Sequence, residues 1–170
     1  MTETSDPPVD PAPPSTVTLS INELHELSRK QLVARSERLG IRVRSEGSLH
    51  QLVMDQVRHH AAQGDRVEAD GIIELDNQRG TLRWPKFHLR PCPEDVSVPS
   101  SLLEPLRLQA GQQLRVSVRG PRQREHGLVA ESLVAVEGIP AAEWKPTVDF
   151  EKLTALFPDR RILLEVPGSP

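Results

Sequence analysis

Arg79, Thr81 and Arg83 occupy alternate positions in "RGTLR". Alternate residues of a strand share one face, so this row sets two guanidinium groups on a single surface while Leu82 points inward. A guanidinium grips phosphate through paired hydrogen bonds and also lies flat on a base, which suits the row to a nucleic-acid strand. Lys86, Arg90, Arg115 and Arg119 add cations able to face phosphates. From Arg79 to Arg124, nine Lys and Arg oppose three acids, a local charge of +6 in a chain of net charge −3, so the remainder carries −9. A basic module in an acidic chain points to a polyanionic partner. A solvated mixed surface is the plainer reading of the same charges.

Other chemistries find little support. Cys92 lies between Pro91 and Pro93 with no His/Asp frame, and one Cys forms no internal disulfide. His59 and His60 are adjacent, so on a helix they point in different directions, and two exposed histidines near a helix end are expected rather than a metal site. No Gly-Lys pair occurs anywhere, so the loop that cradles nucleotide phosphates is missing. The expectation is a protein that is not an enzyme and uses no cofactor or metal. With no signal-like leader and no apolar run of bilayer length, it reads as cytoplasmic, with no membrane partner.

The elements that must position the basic row fall into four stretches. Residues 1–18, "MTETSDPPVDPAPPSTVT", are acidic and Pro-rich and read as a disordered tail with a natural-looking start. Residues 19–66 carry helical spacing: Ile21, Leu24 and Leu27, then Leu32 and Leu39 after a Ser28 cap, then Leu49, Leu52, Val53 and Val57 after a Ser48 cap. Gly40 and Gly64 supply the stops. From 67 to 138 the period changes to that of strands, with Leu114, Val116 and Val118 alternating with Arg115, Ser117 and Arg119. Four or five such runs in about 70 residues suggest a small closed barrel of the oligonucleotide-binding type. Residues 139–170 are a Pro-rich connection and a tail, "VDFEKLTALFPDRRILLEVPGSP". Only 3% of residues are aromatic and none is Tyr, so the core must be small and aliphatic.

Helices first and barrel second, with "GTLR" at 80–83, "PEDVSVPSSLL" at 93–103, "LRLQAGQQL" at 106–114 and "FEKLTALFPDRRILLE" at 150–165, resemble the N-terminal region of bacterial transcription termination factor Rho. In that family a three-helix domain precedes a cold-shock-like barrel that binds RNA, and a linker like 150–165 leads into an ATPase domain. The resemblance covers roughly 20–165 and implies an α+β fold with a five-stranded barrel. It also implies site residues. Gly80, Leu82 and Arg83 match the family's stacking strand, but Arg79 and Thr81 stand where its aromatic rings belong. Asp95 matches an acid that hydrogen-bonds a base edge, while the Tyr that follows is Ser97 here. Glu125 matches a pocket Glu, and the Tyr two positions on is Gly127.

Losing rings that are worth roughly 1–3 kcal/mol per base leaves mainly electrostatic attraction. Trp84 and Phe87 lie beside the vacated positions and are candidates for substitute platforms, or else they close the core or rim. Arg83 is the residue expected to touch nucleic acid, unless it is only ion-paired to Asp95. Two functional readings follow. One is a non-catalytic binder of single-stranded RNA, weak and salt-dependent, acting in transcription termination or its regulation. The other is a protein-interaction module with a decayed base pocket, contacting Rho, RNA polymerase or another partner, for which the retained linker argues. DNA binding by the arginines of the helical block is the weaker third, because acids interleave them.

Overall fold

Three serines start the three N-terminal helices. Ser20 accepts a hydrogen bond from the Glu23 amide at the head of α1 (Ile21–Glu26). Ser28 accepts from the Gln31 amide at the head of α2 (Arg29–Arg38), and the Gln31 side-chain oxygen in turn accepts from the Ser28 amide. Ser48 does the same for the Gln51 amide of α3 (Leu49–Gln63). Each cap satisfies an amide that the helix itself leaves unpaired. Gly64 ends α3 in the left-handed conformation, φ 80°. These positions come from a computed structural model that describes residues 18–44, 47–76, 79–121, 127–146, 148 and 152–157.

The helices close on Leu24, Leu32, Leu52, Val53, Met54 and Val57. Gln56 is buried among them, and its side-chain amide donates to the Leu32 carbonyl and the Ser36 hydroxyl, both at 3.0 Å, tying α3 to α2. His60 departs from expectation. It is buried, because it continues the stripe of Val53 and Val57 on the inner face of α3. Its Nδ1 lies 2.7 Å from Asp65, which the Gly64 turn brings back towards the helix.

Seven strands follow the helical spacing or flank it: β1 (Thr18–Ser20), β2 (Arg66–Asp76), β3 (Arg79–Arg83), β4 (Val96–Val98), β5 (Gln113–Arg119), β6 (Leu128–Val136) and β7 (Ile139–Pro140). Five of them close a barrel in the order β2-β3-β4-β6-β5, with β5 pairing back onto β2. The β4–β6 pair is parallel and the other barrel pairs are antiparallel. Two strands are additions. β1 runs parallel to the start of β2, so Thr18 belongs to the sheet, and β7 folds back on β6. A short helix, α4 (Ser100–Leu103), follows β4.

Alternation fills the barrel with Ile73, Leu82, Val96, Val98, Leu114, Val116, Val118 and Leu128, an aliphatic core as the composition requires. α1 is fastened to the barrel by Asn22, whose side chain donates to the Asp70 carbonyl at 2.6 Å and accepts from the Asp70 amide at 2.8 Å.

β2 serves two neighbours, β5 through its first half and β3 through its second, and Gly71 sits at the changeover. A Cβ there would stand 2.5 Å from the Arg83 carbonyl oxygen and 2.9 Å from the Leu82 side chain. Backbone cannot swing aside as a side-chain tip can, so Gly71→Ala should cost about 2 kcal/mol, within the range for overpacking. Urea denaturation checks this; an unchanged midpoint would show that the β2–β3 crossing has slack.

Candidate nucleic-acid interface

β3 presents Arg79 and Thr81 outwards, with Arg83 half-buried at its end, while Gly80 and Leu82 face the core. Thr81 sits between Glu74 of β2 and Ser97 of β4, so the middle of this face is small and polar. No ring projects from it. Ser97 is exposed, and Glu125 lies outside the described residues.

Arg83 is committed to acids on both sides. Its Nε donates to Glu74 at 2.6 Å, and its Nη1 donates to Asp95 Oδ2, which also accepts from the Cys92 amide at 2.8 Å. The bond to Glu74 is the main reason the guanidinium is held above its ordinary pKa; burial opposes it and Asp95 adds to it. Asp95 is held above the ordinary carboxylate value because burial outweighs the Cys92 amide and Arg83 together. The two directions differ in meaning: Arg83 gains from the pairing, whereas Asp95 is a carboxylate for which the pairing only partly offsets desolvation. Asp95 Oδ1 is enclosed and has no hydrogen-bond partner, so a base edge does not reach it in this arrangement.

Three more of the candidate cations are also engaged. Lys86 donates to the His25 carbonyl and pairs with Glu26 at 3.0 Å. Arg115 pairs with Asp70 at 3.0 Å, and Arg119 donates to the Gly120 carbonyl at 3.2 Å. Exposed pairs of this kind are weak, so the cations remain available to phosphate, at the expense of the bonds they already make. Trp84 is only 1% exposed and so offers no platform. Phe87 is half-buried, meeting His25 and His50 edge-on at 4.9 and 5.1 Å. Both aromatics face the helices rather than the β3 row. Among the described residues, no group of three or more His, Cys, Asp or Glu is arranged to hold a metal, and no helix is long and apolar enough to cross a membrane.

No protein-family model matches the chain. Among curated proteins it is similar to transcription termination factor Rho of Akkermansia muciniphila, 35% identical over 158 residues, which is 92% of this chain and 33% of that protein. The Rho proteins of Cereibacter sphaeroides and Bacillus subtilis are each 26% identical, over 87% and 86% of this chain and 35% and 34% of theirs. The chain is related to Rho. It matches the N-terminal region and spans about a third of the length of these relatives.

The Rho-like stretch 93–103 holds a residue that sequence reasoning passed over. Glu94 is completely buried, and its Oε1 accepts from His25 Nε2 of α1 at 3.1 Å and from His50 Nδ1 of α3 at 2.6 Å. Glu94 lies in the turn just ahead of β4, where no strand period applies, so neither residue type nor spacing signalled that it faces the helices while Asp95 faces Arg83. Two neighbouring acids thus do different work, one on the candidate binding face and one at the junction of helices and barrel.

The Rho-like Arg83 has a structural duty whatever it binds. Arg83→Ala leaves Asp95 largely buried without its cationic partner and should destabilise the chain by about 1–3 kcal/mol. A melting temperature unchanged by the substitution would mean that the two acids hold Arg83 without needing it.

Proposed function

We propose that this chain is a non-catalytic single-stranded RNA-binding protein of the Rho type, acting in transcription termination or its regulation. What supports the reading is a cationic outward row on β3 of a closed barrel, in a chain similar to Rho. Contact is mainly electrostatic. Arg79, Arg83, Lys86, Arg115 and Arg119 meet phosphates, and Thr81 and Ser97 let the strand lie close to the sheet. Binding is weak because no stacking ring stands on β3 and because several cations must trade existing ion pairs for phosphate.

The expected result is a low-affinity complex with little base preference and steep salt dependence. The logarithm of affinity should fall by about 0.7 per phosphate contacted for each logarithmic unit of salt. Fluorescence anisotropy with short oligouridylate and oligoadenylate at several salt concentrations tests it. A tight, pyrimidine-selective complex that ignores salt would overturn the electrostatic account.

A second reading has its own observation. Leu156 and Phe157, in the segment that resembles the linker, are 86% and 99% exposed. Such side chains favour a protein partner such as Rho or RNA polymerase. Loss of co-elution with Rho on Leu156→Ser and Phe157→Ser, with RNA binding intact, would favour this reading over the first.

A further inference from the structure

Beyond the end of the 79–81–83 row, the surface dips into an open cavity of about 340 Å³ between the β2–β3 hairpin and α4. That volume lies at the lower end of the range of small-ligand pockets, about 300–1,000 Å³. Its floor is apolar, made by Leu75, Leu103 and Leu108. Its rim is charged, with Arg79 on one side and Arg107 and Glu104 on the other. Leu75 is 38% exposed, so an apolar side chain is offered to solvent at the mouth.

The state of the two arginines sets this place apart. Arg83, Lys86 and Arg115 are each engaged by an acid, whereas the side chains of Arg79 and Arg107 make no ion pair or hydrogen bond among the described residues, although Glu104 lines the same cavity. Arg107 is moreover held at φ +47°, a conformation that a side chain disfavours and glycine does not. The turn from Glu104 to Leu108, closed by the Arg107 amide on the Glu104 carbonyl at 3.1 Å, keeps it there. A strained, exposed and unengaged arginine beside an apolar hollow is the arrangement of a ligand site rather than of a packing site.

We propose that this cavity is a base-binding subsite. One unpaired nucleobase lies on Leu75, Leu103 and Leu108, the phosphates flanking it are held by Arg79 and Arg107, and Glu104 accepts from an amino group where the base has one. The inference rests on the RNA-binding reading above and extends it, because a base finds here the apolar surface that β3 itself lacks. It also moves the principal contact from Arg83, which is already paired, to Arg79.

The test compares a short oligouridylate with the matched abasic strand, on the full chain and three variants. Ser100→Phe fills the hollow from its rim. Arg79→Ala removes one cation. Arg107→Gly removes the other while relieving the left-handed backbone, so it keeps the fold at least as stable. The unaltered chain should bind oligouridylate about tenfold tighter than the abasic strand, near the low end of what one base stacked on an aromatic ring gives, because the leucines offer apolar area without a ring. Ser100→Phe should abolish that difference. Arg79→Ala and Arg107→Gly together should lower the salt slope by about 1.4, the value for two phosphates. Equal binding of both strands by the unaltered chain, or a slope unmoved by the arginine variants, overturns the subsite and leaves the RNA-binding reading standing. No binding of either strand by the unaltered chain overturns both.

Discussion

Trp84→Ala should lower the free energy of unfolding by about 3–5 kcal/mol, the cost of removing a large aromatic side chain from a packed interior. Trp84 is the largest fully buried side chain, at 1% exposure. Its ring meets His25 of α1 edge-on, with centroids 4.6 Å apart and planes at 84°. Its carbonyl accepts from the Phe87 and Leu89 amides, both at 3.1 Å, so the loop after β3 turns on it. Truncation would therefore loosen the core, the helix contact and the loop together. Its indole Nε1 is buried with no partner, so the polar end of the side chain contributes nothing. Trp84→Phe, which drops that donor and keeps most of the apolar volume, should cost less than about 1.5 kcal/mol. Urea unfolding of both variants provides the check. An alanine variant as stable as the parent but impaired in RNA binding would return Trp84 to the surface role that its place beside the β3 row suggested.

That contrast shows what the sequence made legible. Period and punctuation are local properties, so Ser28, Ser48, Gly40 and Gly64 announced the helix ends, and Leu114, Val116 and Val118 announced an inner strand face. The row of Arg79, Thr81 and Arg83 was legible for the same reason. Partnership is not local. Nothing near Arg83 in the chain reveals that Glu74, nine residues before it, reaches across the hairpin to bind it. His25, His50 and Glu94 are far apart in sequence and meet only because the helices pack against one mouth of the barrel. Arg107 was overlooked because its significance lies in a left-handed backbone angle and in a hollow made by α4, neither of which leaves a mark on residue type. The charge of the barrel segment could be counted in advance and the Arg83–Asp95 pair named as an alternative, but the acids that engage Lys86 and Arg115 could not.

Glu94→Ala should have an effect of the same order, about 3–5 kcal/mol at neutral pH, because it breaks a buried charged hydrogen-bond set from one side. His25 is almost fully enclosed, so without the carboxylate its Nε2 loses its acceptor where water does not replace it. The same group predicts a dependence on pH. Burial on its own would raise the Glu94 pKa, but the hydrogen bonds from His25 and His50 and from its own backbone amide outweigh burial and hold it below the ordinary value of 4.5. A carboxyl group whose folded pKa is depressed contributes stability that is complete above the unfolded value. That contribution is lost as pH falls from about 4.5 through the lower folded value. Stability of the parent should therefore drop on the acid side of pH 4.5 more steeply than that of Glu94→Gln, which keeps the shape and cannot ionise. At neutral pH the glutamine variant should already be weaker by about 1.5–3 kcal/mol, the worth of hydrogen bonds to a charged acceptor. Chemical denaturation across the acid range, with amide exchange in α1 and α3 as a local readout, measures both effects. Parallel stability curves for parent and glutamine variant would mean that the ionised carboxylate is not what fastens the helices to the barrel, leaving Asn22 and Trp84 to do so.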